Sequence, residues 1–163
     1  MSIAADRFAP GRVVAAAMNI DDGRLLTMSS DDGGQTWSRA LLPLPGGAQL
    51  HADPMVAFDS VGRVHLAVIP VAPGNTQIGI DLFRSLDGGR TWTGPRRISK
   101  ATGRDDKVAL TVDDNPDSLY RGRIHVACPL ALQALALRRA CDERVCCDRI
   151  PTSRETIETM RQL

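Results

Sequence analysis

The sequence has few aromatic residues, almost no net charge and no long apolar run. The last two shortages each exclude a class of protein. Aromatic residues are 4% of the 163, and Tyr120 is the single tyrosine. The net charge of +1 gives no electrostatic reason to expect binding to nucleic acid or to an anionic membrane surface. No apolar run approaches the ~20 residues of a membrane-spanning helix. Residues 1–10 lack the apolar core of a signal peptide, so no export signal is predicted in this chain.

The frequencies of glycine, glutamate and cysteine differ between the sequence before about residue 128 and the sequence after it. All 14 glycines lie before Ile124, and no glutamate precedes Glu143. The four cysteines all lie at or after this point, at Cys128, Cys141, Cys146 and Cys147. This shift predicts a boundary between residues 1–128 and a tail of different character over residues 129–163.

No metal or cofactor site is predicted. The cysteines show no Cys-x-x-Cys spacing, so a zinc site is not indicated. Acidic clusters at residues 21–22, 105–106 and 113–117 match no calcium-loop spacing, and turn formation explains them. There is also no glycine-rich phosphate loop after a predicted strand.

An eight-residue motif occurs twice, at residues 30–37 and 85–92, and both copies fit Ser-x-Asp-x-Gly-x-Thr-Trp. The Asp carboxylate can accept hydrogen bonds from N–H groups of its own turn, and the glycine allows a positive φ. The tryptophan is expected to bury its ring in the sheet just after the turn. The motif therefore predicts two hairpin turns that contain Ser30, Asp32, Gly34, Thr36 and Trp37 in one copy and Ser85, Asp87, Gly89, Thr91 and Trp92 in the other.

The repeated motif resembles the Asp-box, or BNR repeat, of sialidase-like β-propellers. In that family the box is the turn between the third and fourth strands of a blade, on the outer rim and away from the ligand pocket on the central axis. The resemblance implies a structural role for the ten box residues. It covers about residues 11–128 and implies an all-β fold.

A second repeat places the strands of each blade. Residues 11–17, 62–68 and 122–128 each begin Gly-Arg and continue as an apolar, strand-like run. The middle unit is predicted to have four strands, at residues 54–59, 63–69, 77–84 and 92–99. The first unit is predicted to have three, at 12–18, 24–29 and 37–44, and the third unit two. The fold predicted is thus a partial β-propeller of about two to two and a half four-stranded antiparallel blades, over residues 11–45, 53–99 and 106–128.

The tail departs from this pattern. A third box is expected near residues 141–145, where the sequence reads Cys-Asp-Glu-Arg-Val. Residues 130–145 are instead predicted to be helical, and residues 152–155 resemble a capping box that opens a short last helix. Two interpretations stay open: a frameshifted or foreign end, or a genuine helical cap over an open sheet edge.

The resemblance also implies which residues to look for in an active site. Sialidases are described as using three arginines on the substrate carboxylate, a Tyr nucleophile paired with a Glu, and an Asp acid/base. The Arg-Ile-Pro motif of the first arginine is found only in the tail, at residues 149–151. Tyr120 has no glutamate partner before the tail and matches a common structural tyrosine of the family. The catalytic residues are therefore unknown from this sequence.

The three histidines give little further indication of chemistry. His65 and His125 occupy matching positions in the repeated strands, which predicts packing roles. His51 stands near Asp53 and could belong to a site, although one histidine in a linker is a weak signal.

The resemblance implies part of a carbohydrate-directed, sialidase-like protein of the glycoside hydrolase type, with a glycan or glycoprotein as partner. The alternative is a non-catalytic propeller module that binds proteins or glycans. Secretion or a periplasmic location follows if a parent protein resembles bacterial sialidases. Because two or three blades cannot close a ring, self-association through open blade edges is a further expectation.

Overall fold

The computed structural model describes residues 1–99, 107–129 and 135–138, the last of these as backbone. All regular structure in these residues is β-strand, in three antiparallel sheets of which none closes on itself. The predicted all-β class is therefore confirmed for the part of the chain that is described. None of the described residues forms a helix long and apolar enough to cross a membrane.

Sheet one contains four strands that neighbour one another in chain order. They are β1 (Ser2–Ala5), β2 (Val13–Met18), β3 (Leu25–Ser30) and β4 (Ser38–Leu42). The sequence pattern predicted β2, β3 and β4 but not β1, which pairs with β2 from Ser2↔Ala16 to Ala5↔Val13. The reason is composition, because this short segment has one β-branched residue, Ile3, and no periodic apolar pattern.

Sheet two contains β5 (Leu50–Phe58), β6 (Val64–Ala72), β7 (Thr76–Gln77), β8 (Asp81–Ser85) and β9 (Thr93–Arg97). Its order is β5-β6-β8-β9, and β7 adds to β6. β5 begins before the predicted residue 54, and its register shifts between Ala52 and Met55, where Asp53 takes a positive φ of 48°. β8 begins after the predicted residue 77 because the chain turns at Gly79, with φ of 115°.

Sheet three contains β10 (Ala109–Val112), β11 (Ile124–Pro129) and β12 (Leu135–Arg138), paired in that order. The predicted helix over residues 130–145 is wrong at β12, whose backbone pairs antiparallel with β11. A short apolar run fits a strand as well as a helix, so its periodicity alone could not decide. The rest of that predicted helix and the capping box at residues 152–155 lie outside the described residues.

Two apolar clusters hold the three sheets together, and sheet two is buried on both faces. Alternate side chains of β6 point to opposite faces of the sheet. Val64, Leu66 and Val68 pack with Val14 and other residues of sheet one in the first cluster. The second cluster joins Ala67, Ile69 and Val71 of β6 to Val108, Ile124 and Val126 of sheet three. This double burial explains why β6, apart from His65, is an apolar run rather than an alternating one.

Candidate functional site

The first copy of the repeated motif, called the first box here, forms a closed hydrogen-bonded turn between β3 and β4. Ser30 Oγ accepts a bond from the Gly34 N–H at 2.8 Å and donates to Asp32 Oδ1 at 2.7 Å. Asp32 also accepts bonds from the Thr36 N–H at 2.9 Å and from Thr36 Oγ1 at 2.5 Å. The Trp37 indole N–H donates to the Gly34 carbonyl at 2.9 Å. The turn thus satisfies its own polar groups.

The second box repeats this network between β8 and β9. Ser85 Oγ accepts from the Gly89 N–H at 2.7 Å and donates to Asp87 Oδ1 at 2.8 Å. Asp87 accepts from the Thr91 N–H at 2.8 Å and from Thr91 Oγ1 at 2.6 Å. Trp92 donates to the Gly89 carbonyl at 3.1 Å. The structure therefore places all ten box residues in two equivalent turns, but the expected burial of the tryptophan ring is wrong for Trp37, which is exposed.

The box carboxylates are held in their ionised form. Burial raises the pKa of Asp87, but the hydrogen bonds from Thr91 and Ser85 outweigh it and lower that pKa to about 2. Hydrogen bonds from Thr36 and Ser30 likewise lower the pKa of Asp32. A carboxylate whose acceptor sites are engaged in its own turn is poorly suited to acid–base catalysis. This agrees with a structural role for the boxes.

The variable positions of the boxes link sheet one to sheet two, a role that sequence reasoning missed. Arg90, inside the second box, forms an ion pair with Asp31, inside the first. Asp31 also lies 3.4 Å from Nε of Arg12, whose guanidinium reaches the buried Asp6 at 3.4 Å. Asp31 and Arg90 occupy box positions that differ between the two copies, so comparison of the copies gave no signal for their contact.

An aspartate that ends the first strand of each sheet organises the following turn. The backbone N–H of each donates to the carbonyl of the Gly-Arg arginine, at 2.9, 2.9 and 2.8 Å, in the pairs Asp6–Arg12, Asp59–Arg63 and Asp113–Arg123. In sheet two the Asp59 carboxylate accepts from Arg63 Nε at 2.5 Å and lies 3.3 Å from His65 Nε2. His65 and His125 thus match because the strand is repeated, and the His65 ring contacts the aspartate that holds the turn after β5.

A groove lies where these turns of the three sheets converge, at the end of the sheets that carries the boxes. Arg7 and Phe8 are exposed there, and the Arg7 guanidinium stands 4.6 Å above the Phe8 ring. Arg7 also pairs with Asp114 at 3.2 Å. The groove is lined by Ala5, Asp6, Arg7, Phe8, Phe58, Asp59 and Asp114.

Tyr120 also lies at the box end, in the turn between β10 and β11. Its ring is exposed and is stacked by the Arg123 guanidinium at 3.9 Å. The described residues include no glutamate to serve as its partner. Asp113, in the same turn, bonds to Ser118 Oγ at 2.6 Å and to the Asn115 N–H at 3.2 Å, as expected for turn formation. No metal-binding group of three or more His, Cys, Asp or Glu side chains is found among the described residues.

The opposite end of the sheets carries a different set of groups. Asp53 and Lys107 are exposed non-glycine residues with positive φ, 48° and 52°, at equivalent positions in or just before β5 and β10. His51 is fully buried, and neither ring nitrogen has a hydrogen-bond partner in the described structure. Asp81 is buried close by at the start of β8, and it pairs with Arg97. Strained backbone is often found at functional sites.

Replacing His51 with leucine is expected to remove a pH dependence of stability. Burial lowers the pKa of His51, and the charge of Asp81 opposes this only in part. Because the pKa of His51 is lowered in the folded state, the neutral ring contributes its whole share of the folding stability above the ordinary value of 6.5. That share is lost as the pH falls below 6.5. Urea unfolding from about pH 7 to pH 5 should show a decline for the wild type that His51→Leu lacks.

The control for this prediction is His125→Gln, which changes a half-exposed histidine and should keep the decline. At about pH 7 the His51→Leu variant should lie within ~1 kcal/mol of the wild type, because no protein hydrogen bond of the ring is lost. An unchanged decline in His51→Leu would contradict this account of His51.

The chain matches no family model and no curated protein. It is similar to a crystal structure of a protein of unknown function from Dyadobacter fermentans DSM 18053, with a TM-score of 0.59 and 16% sequence identity. The similarity covers 86% of this chain and 39% of that one, so the chain spans well under half of that neighbour's length. At this identity the likeness concerns the fold alone, and the fold shared is all-β.

Proposed function

We propose that the three sheets are successive blades of an Asp-box β-propeller similar to the sialidase family, within a carbohydrate-directed protein. One observation carries the proposal: the same hydrogen-bond network closes the same turn in two consecutive antiparallel sheets, 55 residues apart. Adjacent sheets also pack face to face through apolar clusters, as blades do. Three blades do not close a ring, so a complete pocket needs further blades.

We place the carbohydrate-binding end opposite the boxes, around Asp53 and Lys107. β5 contacts β1 and β2 of sheet one and β10 of sheet three, so the first strands of the three sheets lie beside one another in chain order, where a propeller axis would run. Asp53 and Lys107 present an acceptor and a cationic donor at the start of two of these strands. Such groups suit sugar hydroxyls and a sugar carboxylate, and their positive φ fixes them at a cost in backbone strain.

The chain alone is proposed not to hydrolyse glycosidic bonds. A retaining glycosidase of the usual kind needs two carboxyl groups about 5–5.5 Å apart, and sialidases are described as replacing one by a Tyr/Glu pair. Tyr120 is exposed at the end opposite the proposed binding end, and the described residues hold no glutamate. The described residues therefore do not supply the Tyr/Glu pair that this chemistry needs.

The test combines a fluorogenic sialoside with a panel of acidic and neutral glycans observed by saturation-transfer NMR. We expect no turnover above the buffer rate and binding of at least one glycan. Asp53→Asn and Lys107→Asn should each weaken that binding by about tenfold, the equivalent of one good polar contact. Asparagine tolerates the left-handed backbone at both positions, so the fold should be kept.

Asp117→Asn is the matched control, because Asp117 is exposed in a turn at the box end and should not affect glycan binding. Clear turnover by this chain would contradict catalytic incompleteness. Absence of binding across the panel would contradict carbohydrate recognition, and undiminished binding in both variants would contradict the site.

A second candidate function, a non-catalytic module that binds a protein or glycan at the box end, is favoured by the exposed Arg7 and Phe8 in the groove. An exposed aromatic ring capped by an arginine is typical of recognition surfaces. Loss of glycan or protein binding in Phe8→Ala, with binding intact in Asp53→Asn, would select this candidate.

A further inference from the structure

Sheet one and sheet two place side chains at equivalent positions, but among the described residues another sheet covers the equivalent face only in sheet two. Ile3 and Val56 both stand three residues before the turn aspartate. Val56 is packed against sheet one and is 6% exposed, whereas Ile3 is 63% exposed on the free face of sheet one. Leu41 is exposed on the same face, because its neighbour Leu42 points into the first cluster. The free face of sheet one is therefore the counterpart of a face that is buried in sheet two.

The box glycines show the same difference in atomic detail. A Cβ on Gly89 would meet Val14 Cγ2 at 2.6 Å, and a Cβ on Gly88 would meet Arg12 Cδ at 3.0 Å, so sheet one fills the space in front of the second box. In front of the first box, a Cβ on Gly33 meets nothing within 4 Å, and one on Gly34 meets only Trp37 of its own turn.

The box tryptophans show the same difference between the two boxes as the glycines do. Trp92 packs against the first cluster, while Trp37 is 37% exposed. The first box and the face beside it are thus shaped to receive a sheet like sheet one.

Sheet three offers a matching face within the same chain. Leu110, Val112, Ile124 and Val126 point towards sheet two, which leaves Ala109, Thr111, His125 and Ala127 on the other face. Thr111 is equivalent to Ala4, since both stand two residues before the turn aspartate. Ala4 packs against sheet two in the first cluster, whereas Thr111 is exposed.

We propose that a second copy of this chain covers the free face of sheet one with the free face of its sheet three. The second copy receives the first in the same way, so the described sheets of two chains, three in each, form one closed six-bladed ring. Six lies within the ~4–8 blades of known propellers, and a head-to-tail contact that closes on itself forms a ring. The inference rests on the propeller architecture proposed above, and it is independent of carbohydrate binding.

The test is the mass of the full chain in solution, measured by sedimentation equilibrium across the micromolar range. We expect twice the mass of one chain. Ile3→Lys and Thr111→Lys should each raise the dimer dissociation constant by more than about 100-fold, since an unpaired charge would be buried at the contact. Both residues are exposed in the single chain, so circular dichroism should show each variant folded.

Mixing the two variants provides the sharpest outcome. The unchanged sheet three of the Ile3→Lys chain and the unchanged sheet one of the Thr111→Lys chain can still meet, so the mixture should recover dimers that neither variant forms alone. The matched control is Ile20→Lys, another highly exposed isoleucine, in the turn between β2 and β3, which should stay dimeric.

A monomer at every concentration would overturn the proposal, as would a ladder of larger open chains. A dimer that persists in Thr111→Lys would also overturn it, because it would show that the contact does not involve sheet three. Failure of glycan binding in a protein that forms the ring would count against the proposed function alone.

Discussion

Gly89→Ala is expected to destabilise the fold by about 2 kcal/mol more than Gly34→Ala. The two glycines occupy the same box position with the same backbone, φ 93° and 92°, so the strain of placing alanine there is shared, at roughly 1–2 kcal/mol. Only at Gly89 does the new methyl group meet a neighbouring sheet, at 2.6 Å from Val14 Cγ2. Forcing a methyl group into a packed contact costs roughly 1–3 kcal/mol.

Urea unfolding at about pH 7 measures the difference, on the Ile3→Lys background so that self-association does not contribute. The double variant Gly89→Ala/Val14→Ala should be more stable than the sum of its single changes predicts, because the smaller side chain makes room for the methyl group. Equal costs at Gly34 and Gly89, or additive effects with Val14→Ala, would show that sheet one does not pack on the second box.

Asp59→Ala is expected to cost about 3–5 kcal/mol, the largest loss for any single turn residue, and Asp113→Ala about 1 kcal/mol. Asp59 is buried and accepts bonds from the Val61 and Arg63 N–H groups at 3.0 and 2.9 Å, besides its contacts with the side chains of Arg63 and His65. Removing one partner of a buried charged network leaves the others unpaired. Asp113 is the equivalent residue of sheet three and is partly exposed, which makes it the matched control.

The loss in Asp59→Ala should also depend on pH. Burial raises the pKa of Asp59, but hydrogen bonds from His65 and Arg63 outweigh this and lower it well below the ordinary 3.8. A depressed carboxyl pKa contributes stability above that ordinary value, and the contribution is lost as the pH falls through the lower, folded-state value. The gap between wild type and Asp59→Ala should therefore be constant above about pH 5 and shrink below pH 4. A gap that widens in acid would contradict the role given to the carboxylate.

The sequence predicted the elements that depend on local turn chemistry. The two boxes and the Gly-Arg turns are specified by residues within a few positions of one another, so their hydrogen bonds could be anticipated from types and spacing. The strands of sheet two followed from the turns that bound them. β1 and β12 could not be predicted in this way, because a short run such as Ser-Ile-Ala-Ala becomes a strand only by pairing with β2.

Contacts between the sheets also could not be predicted from the sequence. The ion pair between Asp31 and Arg90, the packing of Val14 on Gly89 and the burial of His51 join residues that are far apart in the chain. No local pattern marks these contacts, and the repeat gives no signal for them because Asp31, Arg90 and Val14 stand at positions where its copies differ. The candidate binding end around Asp53 and Lys107 could be predicted from the sequence only in part, since the positive φ of these residues is a property of the folded backbone.

The boxes connect the sequence to the stability of the fold. Their invariant positions close each turn internally, and their variable positions and glycines set the contact with the neighbouring sheet. In the proposed function, rigid turns at one end leave the opposite end free to carry a binding site, as in other scaffolds that present functional loops.

A crystal structure of the full chain would show whether the three sheets are arranged as propeller blades. We expect the rotation that superimposes sheet one on sheet two to superimpose sheet two on sheet three as well, about a single axis that passes beside β1, β5 and β10. We further expect residues 30–37 and 85–92 to overlie one another under that rotation. Sheets related by two different rotations, or stacked as a sandwich without a common axis, would contradict the propeller and the proposals built on it.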